Sequence, residues 1–196
     1  MNKINSLKRL QAVVVSFTVL FILACGQITS VAPTLTVNPT STIAPAPENI
    51  NEDNRHVEGD FSYIPPSDWQ IVEFPGAKYK MVKGKEEAGF SPNLNFVDET
   101  YTGSLDSYVS ANLEAINNYF VNVNIISQEN FKTNDGEIII KVVTENTQNE
   151  KRLHQTFYFF DGGNKKFVIT YTRLPDTGEE YDILIDQSVK TFRIEK

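Results

Sequence analysis

The sequence predicts an α+β fold in which an antiparallel meander sheet is packed between helices. Three observations support this prediction. Four extended segments follow one another between residues 125 and 173 and are joined by short turns, which is typical of a meander. Apolar residues repeat at helical spacing over 105–120 and again over 178–189. The third extended segment is largely apolar on both faces, so the two helices are expected to cover the two sides of the sheet.

The domain is predicted to begin with short strands, which are rich in aromatic and branched side chains. The four segments are 61–64, 69–72, 79–82 and 94–97. Between the first two lies the turn Pro65-Pro66-Ser67-Asp68, whose prolines cannot donate hydrogen bonds to a neighbouring strand. We therefore expect a bent edge at this point, with 84–92 as an exposed and charged connection.

A helix is predicted to follow these strands. Its apolar residues recur at steps of three, four and seven, which places them on one face. They are Leu105, Tyr108, Val109, Leu113, Ile116, Tyr119 and Phe120. Ser104 is suited to the N-cap because its hydroxyl can accept from a free backbone N–H, and Asp106 suits the positive end of the helix dipole.

The predicted meander consists of strands near 125–133, 137–146, 151–160 and 166–173. Its turns Asn134-Asp135-Gly136 and 161–165 contain residues that tolerate the left-handed backbone of hairpins. Side chains alternate along the third strand, where one face carries Leu153, Gln155, Phe157 and Phe159 and the other carries His154, Thr156, Tyr158 and Phe160.

A second helix is predicted over 178–189. Glu179 and Glu180 lie at its start, where negative charge stabilises the helix dipole. Its buried side is predicted from Tyr181, Leu184, Ile185, Ser188 and Phe192. Together these elements make 58–196 one domain, because a chain of this length buries a single core.

The first 25 residues have the organisation of a secretory signal. Three basic residues precede an apolar run over 12–24, which is shorter than the roughly 20 residues that span a bilayer. The run ends in Ile22-Leu23-Ala24-Cys25-Gly26, which resembles the lipobox of bacterial prolipoproteins. The resemblance implies that 1–24 is a cleaved signal peptide. It also implies that Cys25 receives lipid on its sulfur and its new amino group, and so anchors the chain to the extracytoplasmic face of the cell membrane.

Residues 25–57 are predicted to be the lipidated cysteine followed by a flexible tether. The composition shifts to Thr, Pro, Ala, Ser and Asn, with no helical or strand period. Such a segment has too little apolar surface to offset the entropy of ordering it. About 30 residues of this kind have a typical end-to-end distance of roughly 30 Å, so the domain can stand clear of the headgroups. We expect His56 to belong to this tether.

Charge and cysteine content exclude several classes of protein. The whole chain carries a net charge of −7, and removal of the three basic residues in 1–24 leaves −10. Such a surface repels phosphate polymers and anionic headgroups, so we predict no nucleic-acid partner and membrane attachment through lipid alone. The chain has a single cysteine, so no disulfide can form within it.

Residues with catalytic or metal-binding chemistry are sparse. His154 lies in mid-strand without a second His or a Cys to complete a metal site, and is best explained as a packed or surface histidine. Asp176, Glu179 and Asp182 surround a turn and could offer oxygens to Ca²⁺, but they match no EF-hand spacing, and a solvated helix start explains them as well. Because there is no G-x-S-x-G motif and no histidine placed beside a nucleophile, we predict no catalytic residues, no cofactor and no enzymatic activity. Trp69 is expected in the core.

Several motifs occur in a familiar order along the domain. They are Tyr63-Ile64-Pro65-Pro66-Ser67-Asp68-Trp69, Asn93-Leu94-Asn95-Phe96-Val97, Ser104-Leu105-Asp106-Ser107-Tyr108-Val109, a meander, and a final helix ending in Ser188-Val189-Lys190-Thr191-Phe192. This order resembles the PsbP-like family, which includes the DcrB and LpqN types of bacterial envelope lipoprotein. The resemblance covers nearly all of the domain and implies an antiparallel sheet between helices. The photosynthetic branch helps photosystem II to retain calcium and chloride, but no ion-retaining residues match here by position.

Two hypotheses of function follow from these observations. The favoured one is a non-catalytic interaction or accessory module that is displayed on the cell envelope and binds a protein partner there. The alternative is a small-molecule or ion-binding protein that uses a pocket between the sheet and a helix, lined by residues such as Tyr158 and Tyr171. A shallow surface with an exposed aromatic patch favours the first hypothesis, and a sizeable pocket favours the second.

Overall fold

The computed structural model describes residues 51–195, which form ten strands, two α-helices and one short 3-10 helix. The first element of the described residues is the 3-10 helix Glu52–Asn54. The further elements are β1 His56–Glu58, β2 Phe61–Tyr63, β3 Gln70–Val72, β4 Met81–Lys83, β5 Asn93–Thr100, α1 Leu105–Tyr119, β6 Val121–Lys132, β7 Ile138–Gln148, β8 Lys151–Asp161, β9 Lys165–Arg173, α2 Tyr181–Lys190 and β10 Arg193–Ile194.

The large sheet has seven strands in the order β3-β4-β5-β9-β8-β7-β6, and every neighbouring pair is antiparallel. Strands β6 to β9 form the predicted meander through two tight hairpins and one short link. A helix covers each side of this sheet, so the predicted α+β fold with a sheet packed between helices is confirmed. Side chains of β8 alternate as predicted, with Phe157 and Phe159 on one side and Tyr158 and Phe160 on the other.

Helix α1 covers one side of the sheet. Ser104 caps its start as predicted, because the hydroxyl accepts a hydrogen bond from the backbone N–H of Ser107 at 3.2 Å. Between helix and sheet lies a core of Tyr108, Val109, Ile116, Ile140, Val142, Phe157, Phe159 and Val168. The alternation of apolar residues along each strand is therefore matched by the helical period of α1.

Helix α2 covers the other side, together with a small sheet of order β1-β2-β10. This second sheet was not expected from the sequence; in it β2 pairs with both β1 and β10. Phe61 of β2 fixes it to the core, since its ring lies 5.3 Å from that of Phe96 and 5.1 Å from that of Phe192. The predicted bent edge around Pro65-Pro66 is thus the crossing between two different sheets.

A network of buried amide side chains lies on the α1 side, at one end of the sheet. Gln155 accepts hydrogen bonds from Asn146 Nδ2 at 2.8 Å and Gln148 Nε2 at 2.9 Å, and donates to the Thr172 hydroxyl at 3.1 Å. Gln155 and Asn146 are fully buried. Buried amides are tolerated only when they find partners, so this network fixes the register of β7, β8 and β9.

Three predicted boundaries are wrong by at least three residues. Strand β5 ends at Thr100 rather than 97. Helix α2 begins at Tyr181 rather than 178, because Gly178 has a φ of 76°, in the left-handed region that ends or precedes helices. Strand β6 begins at Val121 rather than 125, because the chain passes from α1 into the strand through Phe120 alone. This early start makes β6 the longest strand of the described residues.

The prediction that His56 lies in a flexible tether is also wrong. It belongs to β1, where its ring meets that of Tyr63 edge-on at 5.5 Å and Nε2 lies 2.8 Å from a Glu58 oxygen. Arg55 precedes it and donates from Nη1 to the Thr191 carbonyl at 2.8 Å. The domain therefore includes residues from about 51 onward. The remainder of the predicted tether and the predicted signal peptide lie outside the described residues.

Candidate interaction surface

Strand β6 forms one edge of the large sheet. It pairs with β7 on its inner side, and on its outer side no strand within residues 51–195 pairs with it. An unpaired edge presents backbone N–H and C=O groups to whatever approaches, and most proteins shorten or charge such edges. The opposite edge follows this practice, since β3 has three residues. β6 has twelve.

Apolar side chains are exposed where α1 passes into β6. Tyr119, Val121, Ile125 and Ile126 are each between 42% and 61% exposed. They provide four of the seven large hydrophobic side chains that are exposed among the described residues, so the clustering is not an even scatter. Exposed apolar side chains that cluster in one short segment are typical of interaction sites. We call residues 119–126 the apolar segment.

The same region carries no charge. Between Glu114 and Glu129 there is no acidic or basic residue, although charged residues make up 22% of the whole chain. An edge segment without charged side chains of its own loses less solvation energy when a partner covers it, because no ion on that segment must be stripped of water. The neighbouring strand contributes one charged residue here, since Glu145 lies opposite Asn124 and is paired with Arg152. The chain is strongly acidic elsewhere, so this region is the part of β6 best suited to apolar contact.

The backbone of the apolar segment is irregular. Its pairing with β7 shifts register between Val121 and Asn124 and again between Ile125 and Ser127, and Asn122 has a φ of 54°. Bulges of this kind turn side chains away from the regular alternation of a strand. Here they leave Ile125 and its neighbour Ile126 both exposed, which a regular strand would place on opposite sides.

The second half of β6 is regular. From Ser127 to Lys132 each residue pairs with one residue of β7 without interruption. Phe131 is buried beside the Tyr158 ring at 5.5 Å, so this half is fixed to the core. Gln128 and Asn130 lie exposed along it. We call residues 127–132 the regular segment.

The pocket predicted between sheet and helix is closed. Tyr158 and Tyr171 are both about 1% exposed and belong to the core beneath α2. The Tyr158 hydroxyl donates to Asp186 Oδ1 at 2.6 Å, and Asp186 also accepts from Lys141 Nζ at 2.7 Å. Burial raises the pKa of Tyr158 far above that of a free phenol. These tyrosines therefore support packing rather than ligand binding.

A shallow cleft lies elsewhere, where the first described residues meet α2. It has a volume of about 280 Å³, and its walls include Asn54, Pro66 and Leu184. Ligand pockets usually measure about 300 to 1,000 Å³, so this cleft is at their lower limit. Its lining carries no ionisable side chain.

The predicted calcium residues are not assembled into a site. Asp182 is held by Arg173, whose Nε and Nη2 each donate to one of its two oxygens at 2.9 Å. Arg173 is itself buried and also donates to two backbone carbonyls, so this ion pair fixes the start of α2. Asp176 and Glu179 are exposed. Within residues 51–195 no group of three or more His, Cys, Asp or Glu side chains is placed to hold a metal ion.

His154 lies in β8 opposite Arg173 of β9 and Glu145 of β7. Burial, together with the positive charge of Arg173, lowers the pKa of His154, although Glu145 lies 3.8 Å away and acts in the opposite direction. The ring is mostly buried, in agreement with a packed histidine.

One buried carboxylate oxygen, Glu99 Oε1, has no hydrogen-bond partner within the described residues. The other oxygen, Oε2, accepts from the buried hydroxyl of Tyr108 at 2.9 Å. Burial raises the pKa of Glu99. Nothing in the sequence marks Glu99 as buried, because a carboxylate at a strand end is usually solvated.

Trp69, which was expected in the core, packs against it but is only half-buried, and its ring meets that of Tyr181 edge-on at 5.5 Å. Cys25 lies outside the described residues. No helix within 51–195 has the length and apolar composition needed to cross a membrane.

Comparisons with known proteins identify the fold. No family model and no curated protein matches the chain. Among solved structures, cyanobacterial PsbP (CyanoP) from Synechocystis sp. PCC 6803 is similar with a TM-score of 0.51 and 13% identity, over 82% of this chain and 98% of its own. LpqN of Mycobacterium tuberculosis, which is involved in cell envelope biogenesis, has a TM-score of 0.51 and 12% identity, over 69% of this chain and 83% of its own.

A protein of unknown function from Pseudomonas aeruginosa is similar to the same extent, with a TM-score of 0.52 and 12% identity, over 70% of this chain and 93% of its own. These likenesses confirm the expected PsbP-like fold. At such low identity they establish fold alone.

Proposed function

We propose that this chain, whose domain has a PsbP-like fold, is an envelope-anchored accessory module that binds a protein partner and performs no catalysis. The observation that carries the proposal is the uncharged and exposed apolar segment 119–126 at the free edge of the large sheet. A neighbour in fold takes part in cell envelope biogenesis, which agrees with a location at the envelope.

The anchoring is proposed to be through lipid on Cys25. The lipobox sequence and the apolar run before it support this assignment. Two or three acyl chains hold a protein stably on a bilayer, whereas one chain holds it only marginally. We expect Cys25→Ser to release the protein from the membrane fraction or to leave its signal uncleaved. Wild-type protein without lipid mass on residue 25 would contradict the anchoring.

The partner-binding role is tested with charge substitutions that have matched controls. Ile126 in the apolar segment and Ile183 on α2 are 49% and 47% exposed, so Ile126→Glu and Ile183→Glu introduce the same charge at equal exposure. Val121 at 61% and Val57 at 63% form a second matched pair. We expect the two edge variants to lose a protein that co-purifies with the full chain from intact envelopes, and the controls to retain it. Identical capture by all four variants would refute the role of this surface.

The alternative function, binding of a small molecule, is favoured by one observation, the cleft of about 280 Å³ beside α2. Because its lining carries no ionisable side chain, the cleft favours a neutral ligand. Leu184→Trp would fill much of this cleft. If the cleft binds a small molecule, native mass spectrometry of the purified protein should show that molecule on the wild type and not on Leu184→Trp; its absence from both would leave the cleft a surface depression.

A further inference from the structure

We infer that β6 binds its partner by strand addition, so that an extended segment of the partner protein continues the large sheet. The inference rests on the proposed function and specifies how the same surface works. It starts from the backbone of β6. The strand contains no proline, and its only charged residues are Glu129 and Lys132 near its end. Apart from these two charges and the two register shifts, β6 lacks the features by which proteins usually prevent pairing at a sheet edge.

The two halves of β6 contribute differently to the proposed strand addition. The regular segment 127–132 is straight enough to pair, because each of its residues is in register with β7. Main-chain hydrogen bonds along such a segment give affinity, and alternate side chains give specificity. The apolar segment 119–126 is bulged and offers side chains instead of a regular backbone. A partner strand that pairs with the regular segment and continues past it would cover the apolar segment.

A second copy of this chain fits the edge poorly. In a two-fold antiparallel pairing centred on the regular segment, the apolar segments of the two copies would project from opposite ends and stay exposed. A pairing centred on the apolar segment would have to join two strands that are both irregular. Two copies would also each bring the net charge of −10 that remains after removal of 1–24. We therefore assign the edge to a different protein.

The edge also defines the chemistry of the partner segment. It must be extended, and it must present apolar side chains to Tyr119, Val121 and Ile126. It should carry few acidic residues, because the chain as a whole has a net charge of −7 and two acidic surfaces repel each other. Opposite the regular segment the requirement is looser, since Gln128 and Asn130 are polar and exposed.

Site-specific photo-cross-linking in intact cells tests the inference. A photoreactive phenylalanine analogue is placed in the full chain at Ile126, at Gln128 or at Asn130, with Ile183 as the matched control position. We expect adducts from the three β6 positions and none from Ile183. Peptide mapping of the adducts should show the cross-linked partner residues advancing along one short stretch, by about one partner residue for each residue of β6.

The possible outcomes separate the mode of binding from the function. Adducts at Ile126 whose partner residues do not advance in register with Gln128 and Asn130 would overturn strand addition and leave the proposed function intact. Adducts at none of the three β6 positions, in variants that melt at the wild-type temperature, would overturn both. Adducts to another copy of the same chain in linear register would overturn the assignment to a different protein.

Discussion

Replacing Gln155 with methionine tests the buried amide network that joins β7, β8 and β9. Methionine has nearly the same length, so the change removes hydrogen bonds with little change in packing. The Asn146 amide would lose its acceptor at 2.8 Å and retain the Thr144 hydroxyl at 3.5 Å. Asn146 is 1% exposed, so water cannot replace the lost bond.

The expected cost follows from which groups are left without a partner. A buried donor without an acceptor costs about 1 to 3 kcal/mol. Gln148 is partly exposed and keeps its bond to Asn146 Oδ1, so it adds little, and the Thr172 hydroxyl can rotate. We therefore expect the free energy of unfolding to fall by about 2 kcal/mol. For a domain of this size, that corresponds to a fall in melting temperature of about 4 to 8 °C.

Urea unfolding of Gln155→Met, of Asn146→Leu and of the double variant measures this cost. Replacing both partners with apolar groups should recover part of the loss, because the fully buried Asn146 donor is then removed and Gln148, which is partly exposed, can donate to water instead. A loss below about 0.5 kcal/mol in Gln155→Met, a level typical of unremarkable surface changes, would show that the network does not stabilise the fold. A double variant that loses the sum of both single effects would show that the two amides do not interact.

Three other predictions concern the ion pair, the histidine and the start of the domain. Ca²⁺ added to metal-free protein should leave the melting temperature unchanged, because Arg173 already occupies both oxygens of Asp182. A rise in melting temperature at micromolar Ca²⁺ that is abolished by Asp182→Asn would contradict this prediction. The pKa of His154 is lowered in the folded state, so the unfolded state binds more protons and stability should fall as pH drops below the unfolded pKa of about 6.5. His154→Gln should reduce that fall, and denaturant unfolding at pH 7.5 and pH 5.5 compares the two proteins. A chain beginning at residue 51 should melt within about 2 °C of the mature chain. A chain beginning at His56 should melt at a lower temperature, because it loses the hydrogen bond from Arg55 to the Thr191 carbonyl. Differential scanning calorimetry of the two chains checks this order, and the reverse order would contradict the prediction.

Local patterns in the sequence determined most of the elements. Three of these patterns are short-range: the helical period over 105–120, the N-cap at Ser104 and the turn residues of the meander. Each can be predicted from the residues next to it in the sequence. The alternation along β8 also predicted correctly that both faces of the sheet would be covered. These features are decided by backbone sterics and by which side of an element is apolar, and neither depends on distant residues.

Only the tertiary structure determined which residues that are distant in the sequence come into contact. It pairs β2 with both ends of the domain, engages Asp182 with Arg173 and buries Tyr158 and Tyr171 beneath α2. It also makes β6 an edge. A strand pattern states which residues share a face but carries no information on strand order, so the sequence could not reveal that the apolar segment remains exposed. Exposure depends on which strand is last in the sheet, and that is set by the packing of the whole domain.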